Sequence, residues 1–109
     1  MQKYKIVHYE KNGQDIFQKW LDDLKDVKGK NAINRSVKKL HDGNFGDNKF
    51  CRDGVRELRI HIGAGYRVYY SMIENIVVLL LCGGSKKTQD KDINKAIEYL
   101  NDFKERNSN

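Results

Sequence analysis

The sequence predicts one α+β domain, and three observations carry that reading. Its 109 residues support a single hydrophobic core, so residues 1–109 form one domain. Apolar residues recur at helical spacing in two consecutive early stretches and again near the C-terminus. Between them, short alternating and apolar runs are separated by glycine or by Glu74-Asn75, the signature of antiparallel hairpins. The predicted order is β-α-α-β-β-β-α, with two helices on one side of a twisted sheet and a terminal helix nearby.

Each element has its own signal. Tyr4 to Tyr9 reads as a strand, with Tyr4, Ile6 and His8 on one face and Lys5, Val7 and Tyr9 on the other. Asn12-Gly13 breaks it. From Asp15, the spacing of Ile16, Phe17, Trp20, Leu21 and Leu24 predicts a helix. Gly29 separates it from a second helix with the stripe Ile33, Val37 and Leu40, stopped at Gly43. Asn44 to Gly54 is polar and reads as a loop. Three strands follow, Val55 to Ile62, Tyr66 to Met72 and Ile76 to Cys82, joined through Gly63-Ala64-Gly65 and Glu74-Asn75. The last of them has no polar face, as expected of a central strand covered on both sides. Thr88 is placed to cap a final helix whose stripe is Ile93, Ala96, Ile97, Leu100 and Phe103. The polar tail Lys104 to Asn109 is expected to fray.

Composition narrows the partners. There are 21 Lys and Arg against 15 Asp and Glu, a formal charge of +6. A small, basic chain points to a polyanion, of which nucleic acid is the commonest. The two cysteines, Cys51 and Cys82, read as reduced thiols. The N-terminal residues lack the apolar run of a signal peptide, and Ile76 to Cys82 is too short to span a bilayer, so the expected setting is cytoplasmic and away from membranes.

Strand alternation assembles the charge into a patch. Glu57, Arg59 and His61 share one face of their strand, and Arg67, Tyr69 and Ser71 share one face of the next. A three-residue turn at 63–65 pairs His61 with Arg67 and Arg59 with Tyr69, with Cβ atoms about 4.5–5.5 Å apart. Lys86 and Lys87 lie just past the third strand. Two adjacent guanidiniums repel each other unless an anion sits between them, and phosphate accepts from them in bidentate fashion. Cleavage of RNA by its own 2′-hydroxyl needs the phosphate held in line, its charge neutralised and two protons moved. Arg67, Arg59 and Lys86 are the candidates for charge stabilisation. His61 is the acid/base candidate, being titratable near neutrality. Lys87, Tyr69, Gln89 and Lys49 are the candidates for contacts along the RNA, with Tyr69 available to stack on a base or relay a proton.

The plainer readings are also stated by the residues. A solvated sheet face carries such side chains without function, and Glu57 can simply pair with Arg59 or a lysine. His8 and His41 are isolated, and the histidines and cysteines lack zinc-ligand spacing, so no metal or other cofactor is expected. Gly83-Gly84-Ser85-Lys86-Lys87 lacks the P-loop spacing, and its glycines can be a turn alone.

Glu57-Leu58-Arg59-Ile60-His61, Gly65-Tyr66-Arg67-Val68-Tyr69-Tyr70 and Leu79 to Gln89, with Asp92-Ile93 and Ala96, resemble the HigB-type addiction-module killer branch of the RelE/ParE toxins. The resemblance spans nearly the whole chain and rests on the order and spacing of pieces that are weak singly. It implies a microbial-RNase-like sheet, ribosome-dependent and metal-independent cleavage of mRNA, and a hetero-oligomer with a neutralising antitoxin, often a helix-turn-helix protein. It also implies a site role for Arg67 and for the basic residues Lys86 and Lys87. The basic pair that RelE carries on the preceding strand is replaced here by Val55 and Glu57, with Arg59 and His61 farther along, and the tyrosine of its last helix has no match. Two other functions share the scaffold: inhibition of DNA gyrase, as in ParE-like members, and an inactive toxin that serves as antitoxin partner and co-repressor.

Overall fold

A computed structural model describes residues 3–108. Met1 and Gln2 of the N-terminal stretch and Asn109 of the polar tail lie outside the described residues. The domain is α+β. A five-stranded mixed sheet is built from β1 (Lys5–His8), β4 (Asn48–Arg52), β5 (Val55–Ile60), β6 (Tyr66–Ile73) and β7 (Val77–Ser85), once the two-residue strands β2 (Glu10–Lys11) and β3 (Gln14–Asp15) are set apart as a small hairpin. The spatial order is β1-β7-β6-β5-β4. All neighbours are antiparallel except β1, which runs parallel to β7 with Lys5 opposite Val77.

The helical hairpin forms as its stripes predict. Helix α1 (Ile16–Asp23) is capped by Asp15, whose carboxylate accepts from the Gln18 amide at 3.0 Å. Helix α2 (Val27–His41) starts earlier than the position of Gly29 suggests. Asp26 is its N-cap, and Gly29 lies in its first turn because Tyr66 leaves no space for a side chain there. Gly43, at φ +86°, ends it in the left-handed conformation. After a short 3₁₀ turn at Lys86–Thr88, helix α3 (Gln89–Arg106) begins with Thr88 at its N-cap position.

The sheet is buried on both faces. On the hairpin side, Phe17, Leu21, Ile33 and Leu40 pack on Leu58, Val68, Tyr70 and Leu80. On the opposite side, Ala96 and Leu100 of α3 pack on Val55, Tyr69, Leu79 and Leu81. Strand β7 is therefore an interior strand covered on both faces, as its unbroken apolar run predicts. No helix among the described residues is long and apolar enough to cross a membrane.

Three expectations are corrected. Asn12-Gly13 does not merely end a strand: both residues have positive φ and form the tight turn of β2–β3. The expected loop from Asn44 to Gly54 contains edge strand β4, joined to β5 through Asp53-Gly54, again both at positive φ. Gly83-Gly84 is not a turn either, because β7 runs on to Ser85 and places Gly84 opposite Arg67. These glycines serve close packing: a Cβ at Gly83 would run into the Trp20 indole, and one at Gly84 into the Asp92 carboxylate.

A candidate phosphate-binding cleft

The polar end of the α3-side face is set by register. Strand β5 ends at Ile60, and residues 61–65 form a longer turn than three residues. Gly63 and Gly65 hold positive φ, and Gly63 sits where a Cβ would press on the Asp26 carboxylate. Pairing is therefore Arg59 with Arg67 and Glu57 with Tyr69, two residues displaced from the predicted register. A two-residue shift keeps every side chain on its predicted face. Arg59 and Arg67 become direct neighbours, while His61 leaves the strand.

Glu57 organises the cluster. It is fully buried, and its carboxylate accepts from Arg59 Nε at 3.0 Å and from Gln89 Nε2 at 2.7 Å. The Tyr69 hydroxyl donates to it from 3.4 Å. Arg67 Nη1 lies 3.4 Å from the same carboxylate, an ion-pair distance without a hydrogen bond. The carboxylate raises the Arg59 pKa further above its ordinary value, chiefly through that hydrogen bond. Pairing of Glu57 with Arg59, the structural role considered for it, is thus present. Its position between two arginines and a glutamine is a feature that alternation alone did not reveal.

Above this carboxylate opens a cleft of about 370 Å³. It is lined by Lys49 of β4, Arg59 of β5, His61 of the turn, Arg67 of β6, Lys86 of the 3₁₀ turn and Gln89 of α3. Six of the eight candidate residues therefore meet around one cavity. Lys49 arrives there because β4 pairs it with Glu57.

The remaining two are placed differently. Lys87 lines a neighbouring depression beside Lys86 and Lys91. Tyr69 is fully buried beneath α3, with its hydroxyl pKa pushed far up by burial. It cannot stack on a base, and its part is to support Glu57 from below. Arg67, expected on a solvated face, is only 9% exposed because α3 and Glu57 close over that strand. Its Nε and Nη1 atoms are buried without a hydrogen-bond partner. His61 stands at the cleft rim with its Nε2 2.5 Å from Asp47 Oδ2, and that contact is the main reason the Asp47 carboxyl is held below its usual range. Asp47 was missed by sequence reasoning because it lies 14 residues from His61 in a polar segment.

The cleft is lined by two guanidiniums, two ammonium groups and an imidazole, with one buried carboxylate beneath them. Such a site attracts an anion with several oxygens, and a phosphodiester matches the unfilled donors of Arg67.

A protein of Haemophilus influenzae, described only as uncharacterized, is 52% identical to this chain over 80 residues, which are 73% of the chain and 81% of that protein. The chain belongs to the same family as that Haemophilus protein. No family model matches the sequence.

Proposed function

We propose that the protein is a toxin of the RelE/ParE kind that cleaves mRNA on the ribosome and so stops translation and growth. The observation that carries the reading is Arg67: a nearly buried guanidinium whose Nε and Nη1 make no hydrogen bond, in the wall of a cleft shared with Lys49, Arg59 and Lys86. An arginine kept from water and left with donors to spare is poised for a ligand that supplies acceptors. The HigB-type resemblance names that ligand as the scissile phosphate of RNA.

In this mechanism Arg67 and Arg59 neutralise the pentacovalent phosphorane formed when the 2′-hydroxyl attacks. Glu57 stays below the substrate and holds the guanidiniums in place. His61 is the acid/base group: with Nε2–H donated to Asp47, Nδ1 is the nitrogen left to take the 2′-hydroxyl proton, and it returns that proton to the 5′-oxygen as the bond from phosphorus to that oxygen breaks, leaving a 2′,3′-cyclic phosphate. Lys49 and Lys86 hold the adjacent phosphates. A cytoplasmic setting and a neutralising antitoxin bound as a hetero-oligomer belong to the same reading.

The test is induction in bacteria with mapping of mRNA 5′ ends, with and without active translation. New ends confined to translated messages, absent with Arg67→Ala and depleted with His61→Ala, are expected. Growth arrest without new ends would sink the nuclease reading. Inhibition of supercoiling by purified gyrase would put the ParE-like activity in its place, and a wild type as harmless as Arg67→Ala would mark an inactive antitoxin partner.

A further inference from the structure

The net charge of the chain is concentrated on one helix. Helix α2 holds five Lys and Arg residues and no Asp or Glu, so it alone accounts for five of the formal +6. Helix α3, by contrast, sets four cations against five carboxylates. The two helices cover opposite faces of the sheet, and the cleft is bordered by α3, so the α2 charge stands apart from it. The exception is Lys39, which borders a hollow that also touches Arg59.

Folding gains nothing from this charge. Lys28 stands in the first turn, where the helix dipole disfavours a cation. Arg35 lies three residues from Lys38 and four from Lys39, spacings at which like charges repel. Among the described residues, no carboxylate lies within ion-pair distance of Lys28, Arg35 or Lys38. The carboxylates bordering the helix are engaged elsewhere. Asp26 accepts from the Gly29 amide and the Tyr66 hydroxyl, Asp42 pairs with Lys3, and Asp22 accepts from Gln18. Gly29, Ala32, Ile33 and Leu40 are buried, and Lys28, Asn31, Asn34, Arg35 and Lys38 are left exposed on the outward side.

The kind of polyanion follows from the rest of that face. The helix carries no Phe, Tyr or Trp, so it offers no stacking platform for the bases of a single strand. Val27 is its only exposed large apolar side chain among the described residues, and charge fills the rest, the reverse of a protein interface core. Asparagine and arginine are side chains that read base edges in bidentate fashion, and lysines hold phosphates. The helix has 15 residues and is about 22 Å long, with Lys28 and Lys38 about 15 Å apart along its axis. A B-form major groove is about 12 Å wide and admits an α-helix, whereas the narrow A-form major groove does not. We propose that α2 is a DNA-contacting helix that enters the major groove of duplex DNA, with Lys28 and Lys38 on the bordering phosphates and Asn31, Asn34 and Arg35 turned to the base edges. DNA contact at α2 does not depend on the nuclease reading, because no residue of the cleft takes part.

Fluorescence anisotropy of the full chain tests this with a mixed-sequence DNA duplex of about 20 base pairs, two helical turns. An RNA duplex and a single DNA strand of the same length are compared with it over a range of salt. The DNA duplex is expected to bind most tightly. Each neutralised phosphate of B-form DNA contributes about 0.9 to the slope of log affinity against log salt, so Lys28→Gln/Lys38→Gln lowers the slope by about 1.8. Lys95→Gln/Lys104→Gln on α3 removes the same charge and leaves the slope unchanged. All four side chains are exposed and glutamine favours the helix, so both variants keep the fold, which circular dichroism checks. Methyl green, which occupies the major groove, displaces the protein, and netropsin, which occupies the minor groove, does not.

A single strand that binds as tightly as the duplex overturns the groove contact. Equal binding of the RNA duplex overturns it too and would assign the surface to RNA. A slope that survives Lys28→Gln/Lys38→Gln would place the DNA elsewhere on the molecule, with the same consequence. Displacement of the DNA by polyglutamate at equal charge concentration would mark an acidic protein segment as the occupant and would also overturn the proposal. Cleavage of mRNA is measured separately, so failure of DNA binding leaves the nuclease reading where it stands.

Discussion

The two faces of the sheet solve different problems. On the hairpin face, β5 and β6 present Leu58, Ile60, Tyr66, Val68 and Tyr70. On the α3 face the same strands start apolar, with Val55 and Tyr69, and turn charged at Glu57, Arg59 and Arg67. The change falls where α3 begins, at Gln89, which caps the charged region by donating to Glu57. Equal coverage would have made this face a second ordinary core. Because α3 begins only at Gln89, Arg67 is largely shielded from water while Arg59 is partly open, and both line the cleft.

The largest expected effect separates the faces by function. On the proposed nuclease reading, Arg67→Ala should reduce mRNA cleavage at least about 100-fold, the loss typical of one transition-state charge donor, in a 5′-end assay at matched protein levels. The same variant should lose about 1–3 kcal/mol in urea unfolding, because Glu57 is left with one fewer partner. Unchanged stability would mean that the guanidinium is more solvated than its burial indicates.

Glu57→Ala tests the same face from beneath. Removing the fully buried carboxylate strands the Arg67 guanidinium and should cost about 3–5 kcal/mol by chemical denaturation. A loss below that of an ordinary surface substitution would refute its organising role.

The adjacent glycines give a matched comparison at smaller scale. Gly83→Ala pushes on the Trp20 indole of the hairpin side, and Gly84→Ala on the Asp92 carboxylate of the α3 side. Each should cost about 1–3 kcal/mol, with Gly83→Ala the larger. The indole is a rigid ring in a packed core, whereas the carboxylate can swing toward solvent.

The smallest effect concerns acid. Asp26, below the hairpin face, is held below its ordinary value of 3.8, first by the Gly29 amide and then by the Tyr66 hydroxyl. Asp92, on the other face, is raised by burial. Below about pH 4 the unfolded chain binds more protons at Asp26 than the folded one does, so its contribution is present above that value and lost as pH falls. Asp92 has the opposite sign: its contribution is present at low pH and lost as pH rises through its folded value. Stability measured against pH should therefore fall less steeply in acid for Asp26→Asn and more steeply for Asp92→Asn.

What the sequence made legible was periodicity. The helical stripes around Trp20, Val37 and Ile97 lie on helices, and alternation assigned Arg59 and Arg67 to one face even though the register was displaced by two residues. Parity survives an even shift, so the face was legible while the neighbours were not. The displacement came from a turn that packs on Asp26, far away in sequence and so invisible to local reading. Burial of Tyr69 and Arg67 was hidden for a related reason. Alternation tells which face a side chain takes, not whether a later helix covers it. Strand β4 was missed because Asn48 to Arg52 has no apolar alternation. It is held by pairing with β5 along one edge and shields little of its own surface.

The parallel pairing of β1 with β7 has a consequence for assembly during synthesis. The first strand made has no place in the sheet until β7 has been made, and the pairing closes a loop of about seventy residues, the kind of long-range contact that slows folding. Lys86 and Gln89, which complete the cleft, follow β7 immediately. A nascent chain that has not cleared this point holds neither a finished sheet nor a finished cleft, so the cations of the cleft come together only after the segment from β1 to Gln89 has been made.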